Sequence, residues 1–383
     1  MSDKTTIGVG MVGYAFMGRV HSQAWRSVGA FFDLPLAPRM AVLSGRSKDR
    51  AEAAAGQLGW AAVETDWREL VKRDDVQIVD ICTPGDSHAE IAVAALAAGK
   101  HVICEKPLAN TVAEAEAMVA AAATAPGKSM VAFNYRRVPA VALARRYVEE
   151  GKLGEIRHVR AQYLQDWIVD PEFPLVWRLQ KDKAGAGALG DIGSHIVDAA
   201  EFVTGQRVVG VSALTETFIK RRPLAGESAG LGATRADATG EVTVDDAALF
   251  IGRMSGGALA SFEATRFATG RKNAMRIEIN GQLGSLAFDF ESMNELWYSA
   301  GGAGFERILV TEPDHPYVGA WWPPGHGLGY EHTFTHEIKD FLEAIATGAD
   351  PAPSFADGLR VQRVLEAVER SAADGSRYTN VED

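Results

Sequence analysis

Three side chains of this sequence have the type and setting to move a proton, and they fall in two short runs. The first, Gly-Lys-His-Val-Ile-Cys-Glu-Lys-Pro-Leu over 99–108, has an apolar triplet of one short strand's length that delivers Lys106 to its carboxyl end. An ammonium in a dry crevice is either paired or shifted in proton affinity, and either state can polarise or deprotonate a hydroxyl. On spacing alone the favoured reading of Lys106 is a solvated residue at the start of a helix, with Pro107 in its first turn. The second run, 185–198, sets Asp191 and His195 four apart where a glycine-rich segment becomes a helix. On one helical face the two can share a ligand hydroxyl, and an imidazole near its ordinary pKa can accept the proton a secondary alcohol gives up. The competing reading is a helix start capped by Asp191 with a surface histidine.

Such groups need elements to hold them. An apolar run at 7–12 ends in Gly13-Tyr-Ala-Phe-Met-Gly18, a dinucleotide fingerprint with Ala15 in place of its middle glycine. Gly13 makes the tight turn, Ala15 leaves room for a pyrophosphate, and Gly18 lets helix and strand pack; with Phe16 and Met17 they form the expected cofactor loop. His21, on the helix that follows, reads as structural because it is remote from the strand ends. Further strands are expected at 40–43, 76–81, the triplet 102–104 and 129–133, alternating with Ala-rich helices, and a loop with Pro35 and Pro38 precedes the second. That rhythm predicts a doubly wound α/β domain of the Rossmann type over residues 1–133.

From 134 to 383 the pattern changes to alternating runs at hairpin spacing, at 156–167, 208–219, 244–251, 258–267, 275–280, 285–290 and 295–298. With helices at 195–204, 332–347 and 356–373, these predict an α+β domain with a large, mostly antiparallel open sheet. The Gly- and Ala-rich stretch 222–239 reads as a mobile loop or lid.

The 383 residues suffice for two domains, and a formal net charge of -11 argues against nucleic acid or an anionic membrane as partner. The two cysteines, Cys82 and Cys104, lie in apolar strand-like runs and read as reduced, buried thiols. No apolar leader or membrane-length run is present, so the expected address is the cytoplasm. His326, His332 and His336 approach ligand spacing without supporting cysteines or carboxylates, so no metal is expected. Their aromatic neighbours Trp321, Trp322 and Tyr330 suggest a pocket wall or a packed interface.

Taken together, the fingerprint, Glu105-Lys106-Pro107 and Asp191-x-Gly193-x-His195 resemble the glucose-fructose oxidoreductase, inositol dehydrogenase and rhizopine-catabolism (Gfo/Idh/MocA) family over nearly the whole chain. The resemblance implies that Lys106, Asp191 and His195 form a catalytic trio. It also implies that Thr83-Pro84, His88, Glu105, Lys106 and Asn134, from Phe133-Asn134-x-Arg136, flank the cofactor. Segments such as Tyr163-Leu-Gln-Asp-Trp167, Trp177-Arg178 and Ser354-Phe-Ala-Asp-Gly358 are similar to levoglucosan-type sugar dehydrogenases. The implied substrate is a neutral sugar or polyol ring, with Gln165, Trp167, Arg178, Asp191, His195 and Tyr330 lining its site. A homodimer or homotetramer formed through the open sheet face is implied as well. An NAD-dependent glycoside hydrolase and a non-enzymatic dinucleotide sensor share the fold and remain alternatives.

The second strand ends in Ser44-Gly45-Arg46-Ser47-Lys48, with no acid at the turn where NAD enzymes of this fold place one. Hydroxyls and cations around a glycine favour NADP over NAD, although levoglucosan-type members use NAD.

Overall fold

In the computed structural model, which describes residues 4–229 and 232–382, the first apolar run forms β1 (Thr5–Val12) and the fingerprint opens α1 (Phe16–Phe31). There follow β2 (Leu36–Ser44), α2 (Lys48–Leu58), β3 (Ala62–Glu64), α3 (Trp67–Lys72), β4 (Ile78–Ile81), α4 (His88–Ala97), β5 (His101–Cys104), α5 (Val112–Thr124) and β6 (Ser129–Val131). All six strands are parallel, in the order β3-β2-β1-β4-β5-β6. Strand order reverses between β1 and β4, so the carboxyl ends of these two strands open the crevice where such sheets bind ligands. β4 is buried along its whole length, as a sheet covered on both faces requires. The expected proline loop belongs to β2, which begins at Leu36 and takes in Pro38. Proline's missing donor is tolerated there because β3 pairs only with Val42–Ser44, leaving the earlier part of β2 with β1 as its one neighbour.

The second unit opens with α6 (Pro139–Glu149) and β7 (Ile156–Leu164), then α7 (Lys181–Ala184), α8 (Ser194–Thr204) and β8 (Val208–Glu216). β9 (Arg221–Ala229) and β10 (Gly232–Glu241) form a separate two-stranded ribbon. The mobile loop or lid expected at 222–239 is strand over 222–229 and 232–239, and its residues 230 and 231 lie outside the described ones. Arg222 at its base is wholly buried and donates to the carbonyls of Asp170 (2.7 Å) and Ile168 (2.6 Å). The large sheet continues with β11 (Ala247–Met254), β12 (Leu259–Thr265), β13 (Ala274–Gly281), β14 (Gly284–Asp289), β15 (Glu295–Ala300) and β16 (Glu306–Leu309).

The chain then forms α9 (Tyr330–Thr347), α10 (Phe355–Ala373) and β17 (Thr379–Asn380), the last an edge strand on β8. The nine strands of the large sheet run in the order β16-β15-β14-β13-β7-β12-β11-β8-β17, and only the β7–β12 pair is parallel.

α9 packs along α1. Its Phe334, Ile338, Phe341 and Leu342 join one core with Val9, Met11, Trp25, Val28, Leu43 and Ile78. The first unit is thus made mainly of 4–134 with 330–359, and the second of 135–228, 232–329 and 360–382. No helix among the described residues is long and apolar enough to cross a membrane.

Candidate active site

The first unit carries a cradle shaped for a dinucleotide. Gly13 has φ +98°, and a Cβ there would lie 2.8 Å from the Cys82 carbonyl oxygen; one at Gly18 would lie 2.3 Å from that of Gly13. Only glycine lets β1, the turn and α1 close this tightly. Ala15 at the helix start has no side-chain acceptor, and the first turn of α1 has no acid, so its backbone N–H groups suit an anion. These residues fit a pyrophosphate. Phe16 stacks on Tyr330 (ring centroids 6.3 Å apart, planes within 9°) and Met17 packs against the α1–α9 core. Tyr330, expected beside the substrate, is therefore a neighbour of the cofactor loop in the first unit.

Ser44 is buried at the end of β2, and its carbonyl accepts from the Gly13 N–H at 3.0 Å. Gly45 lies under the Tyr14 ring, where a Cβ would come within 1.9 Å of Cε1, and Arg46 is exposed. At the end of β4, the Thr83 hydroxyl accepts from Ser87 (2.8 Å) in the turn that begins at Pro84. His88 places one ring nitrogen 2.9 Å from the Thr83 carbonyl and the other 3.1 Å from that of Pro107, stapling two loops together. Asn134 donates to the Thr333 hydroxyl at 2.9 Å.

Lys106 is half-buried in the loop joining β5 to α5, outside any helix. The loop is fixed at both ends. Glu105 donates its N–H to the Ile81 carbonyl (2.9 Å), and a Thr111–Glu114 capping box stops α5 from unwinding toward Lys106. Beneath the loop His21 bridges two acids, with Nδ1 3.0 Å from Asp80 and Nε2 3.0 Å from Glu105. Trp25 Nε1 (2.7 Å) and the Cys82 thiol (3.3 Å) also donate to Asp80, and Glu105 Oε2 accepts the Lys106 N–H at 3.0 Å. Burial opposes a charged imidazole here. The Asp80 carboxylate and the Cys82 group outweigh it and hold His21 well above its ordinary pKa. Burial pushes both cysteine thiols up, so neither is a reactive thiolate.

In the second unit, Asp191 lies in a π-helical turn (Leu189–Gly193) that runs directly into α8 carrying the buried His195. The α8 backbone is helical through this junction, so Asp191 is not a cap. π-turns recur at functional sites because the extra residue re-aims the side chains that follow. Asp245 fixes this one by accepting the N–H groups of Gly187 (2.7 Å) and Leu189 (2.8 Å).

The Tyr135 and Tyr163 rings pack on the His195 imidazole, with centroids 4.5 and 5.9 Å away. From them runs a string of hydrogen bonds: Tyr135 Oη to Tyr163 Oη (2.6 Å), Tyr163 to Asn273 Oδ1 (2.7 Å), Gln165 Nε2 to the same oxygen (2.8 Å), and Trp167 Nε1 to Gln165 Oε1 (3.0 Å). Gln165, Trp167 and His195 are thus brought into one array. Asn273 and Tyr135 were not singled out from the sequence, and only the pairing of β13 with β7 could have revealed Asn273.

Arg136 is committed to Asp198, one turn past His195, through Nε (2.9 Å) and Nη2 (2.5 Å). Arg178 stacks on Trp177, its guanidinium carbon 4.4 Å from the ring centre. Asp166 is held by Lys272 (2.8 Å) and the Gly270 N–H (2.9 Å), which lower its pKa.

His326, His332 and His336 do not gather. His326 turns to the Pro323 carbonyl, His332 pairs with Glu331, and His336 is buried edge-on to Phe32. Among the described residues, the group of His, Cys and carboxylate atoms close enough to share an ion is His21, Asp80 and Cys82.

Residues 7–133 match an oxidoreductase family with an NAD-binding Rossmann fold, and 141–287 match the GFO/IDH/MocA C-terminal domain. The chain is 44% identical to levoglucosan dehydrogenase of Pseudarthrobacter phenanthrenivorans, covering 97% of each sequence. Its fold superposes on an oxidoreductase domain protein from Kribbella flavida with a TM-score of 0.94 and 63% identity, covering 99% of this chain and 100% of that one. A levoglucosan dehydrogenase solved with NADH and levoglucosan gives a TM-score of 0.93 at 42% identity, with 99% and 100% covered.

Proposed function

The chain belongs to the GFO/IDH/MocA oxidoreductase family, and from that premise we propose that it oxidises one ring secondary hydroxyl of a neutral sugar, anhydrosugar or cyclitol to a ketone, or runs the reverse reduction. It is an NAD-binding oxidoreductase of the sugar-dehydrogenase type. The observation that carries the neutral substrate is the setting of His195. Of the arginines on this side, Arg136 is committed to Asp198 and Arg266 is wholly buried, whereas amides, phenols and an indole form the array beside the imidazole. A hydroxy acid needs a guanidinium fork for its carboxylate, while ring hydroxyls and a sugar face suit Gln165 and Trp167.

In the proposed reaction His195 takes the hydroxyl proton, Lys106 polarises that oxygen and Asp191 positions them. The nicotinamide, when bound, supplies the hydride acceptor. Gly13, Ala15 and Gly18 would hold the pyrophosphate, and Ser44 and Arg46 would face the adenosine ribose. We also propose that NADP is accepted, and favoured, because the turn after β2 offers an exposed cation and no acid. Gly45 is a poor place to test this, since an acid there displaces Tyr14; Arg46→Asp is the cleaner change.

The test is cofactor reduction across levoglucosan, pyranoses, inositols, lactate and glycerate, with NAD and with NADP. A neutral ring should give the highest kcat/KM, and a hydroxy acid outcompeting every ring would refute the substrate class. Lys106→Ala and His195→Ala should each lower kcat by about two to four orders of magnitude with NADH affinity little changed. Near-normal turnover in either folded variant removes that residue from the mechanism. Arg46→Asp should move preference toward NAD; a wild-type preference for NAD that this variant leaves unchanged means the turn does not read the 2′ position.

A further inference from the structure

Arg266, which directly follows β12, has no solvent exposure. Its Nη2 donates to the Asp245 carbonyl (3.0 Å) and Nη1 to that of Arg178 (3.5 Å), while Nε has no acceptor among the described residues. Carbonyl oxygens satisfy donors but leave the guanidinium's charge uncancelled, and a buried charge is retained only where something compensates it. Asp246 shares this interior with Arg266 and Arg222, but burial raises its pKa, so two guanidiniums share one reluctant acid.

The other carboxylate within reach is Asp191, whose Oδ2 lies 3.9 Å from Arg266 Nη1. Gly187 makes the approach possible. A Cβ there would fall 2.9 Å from Arg266 Nη2 and 1.8 Å from the Asp245 carbonyl oxygen, so only a glycine lets the chain ahead of the π-turn close over the guanidinium. That gives the first glycine of the Gly187-to-Asp191 run a task the sequence motif does not explain.

We infer that Arg266 is a positioning residue, its buried charge keeping Asp191 ionised and fixed beside His195. The inference rests on the reading of Asp191 and His195 as working groups of a dehydrogenase. The charged and titratable groups on or beside the elements packed around the π-turn are Arg266 after β12 and Glu263 on it, Asp245 and Asp246 ahead of β11 and Arg253 on it, Arg178 on the short Trp177–Leu179 turn, and His195, Asp198 and Glu201 on α8. Asp245 is occupied by two backbone N–H groups, and Arg266 places a guanidinium nitrogen 3.9 Å from the Asp191 carboxylate. An ionised Asp191 carries no proton of its own to compete with the one His195 receives.

The experiment follows the Asp191 carboxyl by carbon NMR titration, its signal assigned by loss in Asp191→Asn. It is paired with the pH profile of sugar oxidation in wild type, Arg266→Lys and Arg266→Met. In Arg266→Met the Asp191 midpoint should rise by about one pH unit or more, and the acidic limb of kcat/KM should move with it. Its kcat should fall about tenfold or more with KM nearly constant, and Arg266→Lys should restore most of both. If the methionine variant does not fold, Arg266→Gln keeps a donor for the Asp245 carbonyl and gives the same reading. An Asp191 midpoint unchanged in a folded neutral variant overturns the inference. If wild type oxidises no ring alcohol, the dehydrogenase reading fails, while the carboxyl titration still decides the role of Arg266.

Discussion

His21 is held at both ring nitrogens by buried acids. Its two acids and the donors on Asp80 join α1, β4 and the loop of Lys106 in one buried cluster. Because the folded-state pKa is raised above the unfolded value of about 6.5, the stabilisation is complete below that pH and is lost as pH rises through the folded value. Urea melts across the alkaline range should therefore show wild-type stability falling, a decline that His21→Gln lacks. At neutral pH the variant should be less stable by about 3–5 kcal/mol, since each acid loses a buried partner. A variant that tracks wild type at every pH would show that His21 carries no charge. Lys106, Asp191 and His195 could be singled out as candidates because each lies in a run whose neighbours suggest its setting. Arg266 and Asn273 were not, because their meaning depends on which strands pair across long sequence separations.

Element by element, the strands of both units were legible wherever one or both faces are buried, since burial imposes the period that sequence displays. The β9–β10 ribbon fails that condition. β10 has exposed positions on both faces, so nothing in its sequence alternates, and its glycines and alanines looked like a loop. The π-turn was equally hidden, as it shifts the helical register without changing residue types. α9 was legible as a helix but its place was not, for an apolar stripe does not say which core it joins. Phe341 of α9 has no solvent exposure and packs in the α1 core. Phe341→Ala should destabilise by about 3–5 kcal/mol and weaken NADH binding. Calorimetry with a cofactor titration would check both, and a loss of stability with unchanged NADH affinity would detach α9 from the cradle.

In the molecule as a whole, one face of the nine-stranded sheet exposes a group of large apolar side chains. Leu214 (66% exposed), Ile251 (63%), Leu249 and Trp297 border a groove of about 780 Å³ there, a clustering of exposed apolar side chains of the kind that marks an interaction surface. We expect a second copy of the chain to cover it. Light scattering of Leu249→Lys with Ile251→Lys should show a smaller assembly than wild type, and an unchanged mass would place any interface elsewhere. The return of α9 to the first unit reaches into the life of the chain before it is folded. A ribosome that has released β1 to β6 has made a sheet whose α1 flank has nothing to lie against, and all of the second unit must be synthesised before Phe334, Ile338, Phe341 and Leu342 arrive. The nucleotide cradle is written before the second unit and finished after most of it. Until then its apolar flank is a surface for chaperones to hold, and the second unit matures as an insert within a half-built host.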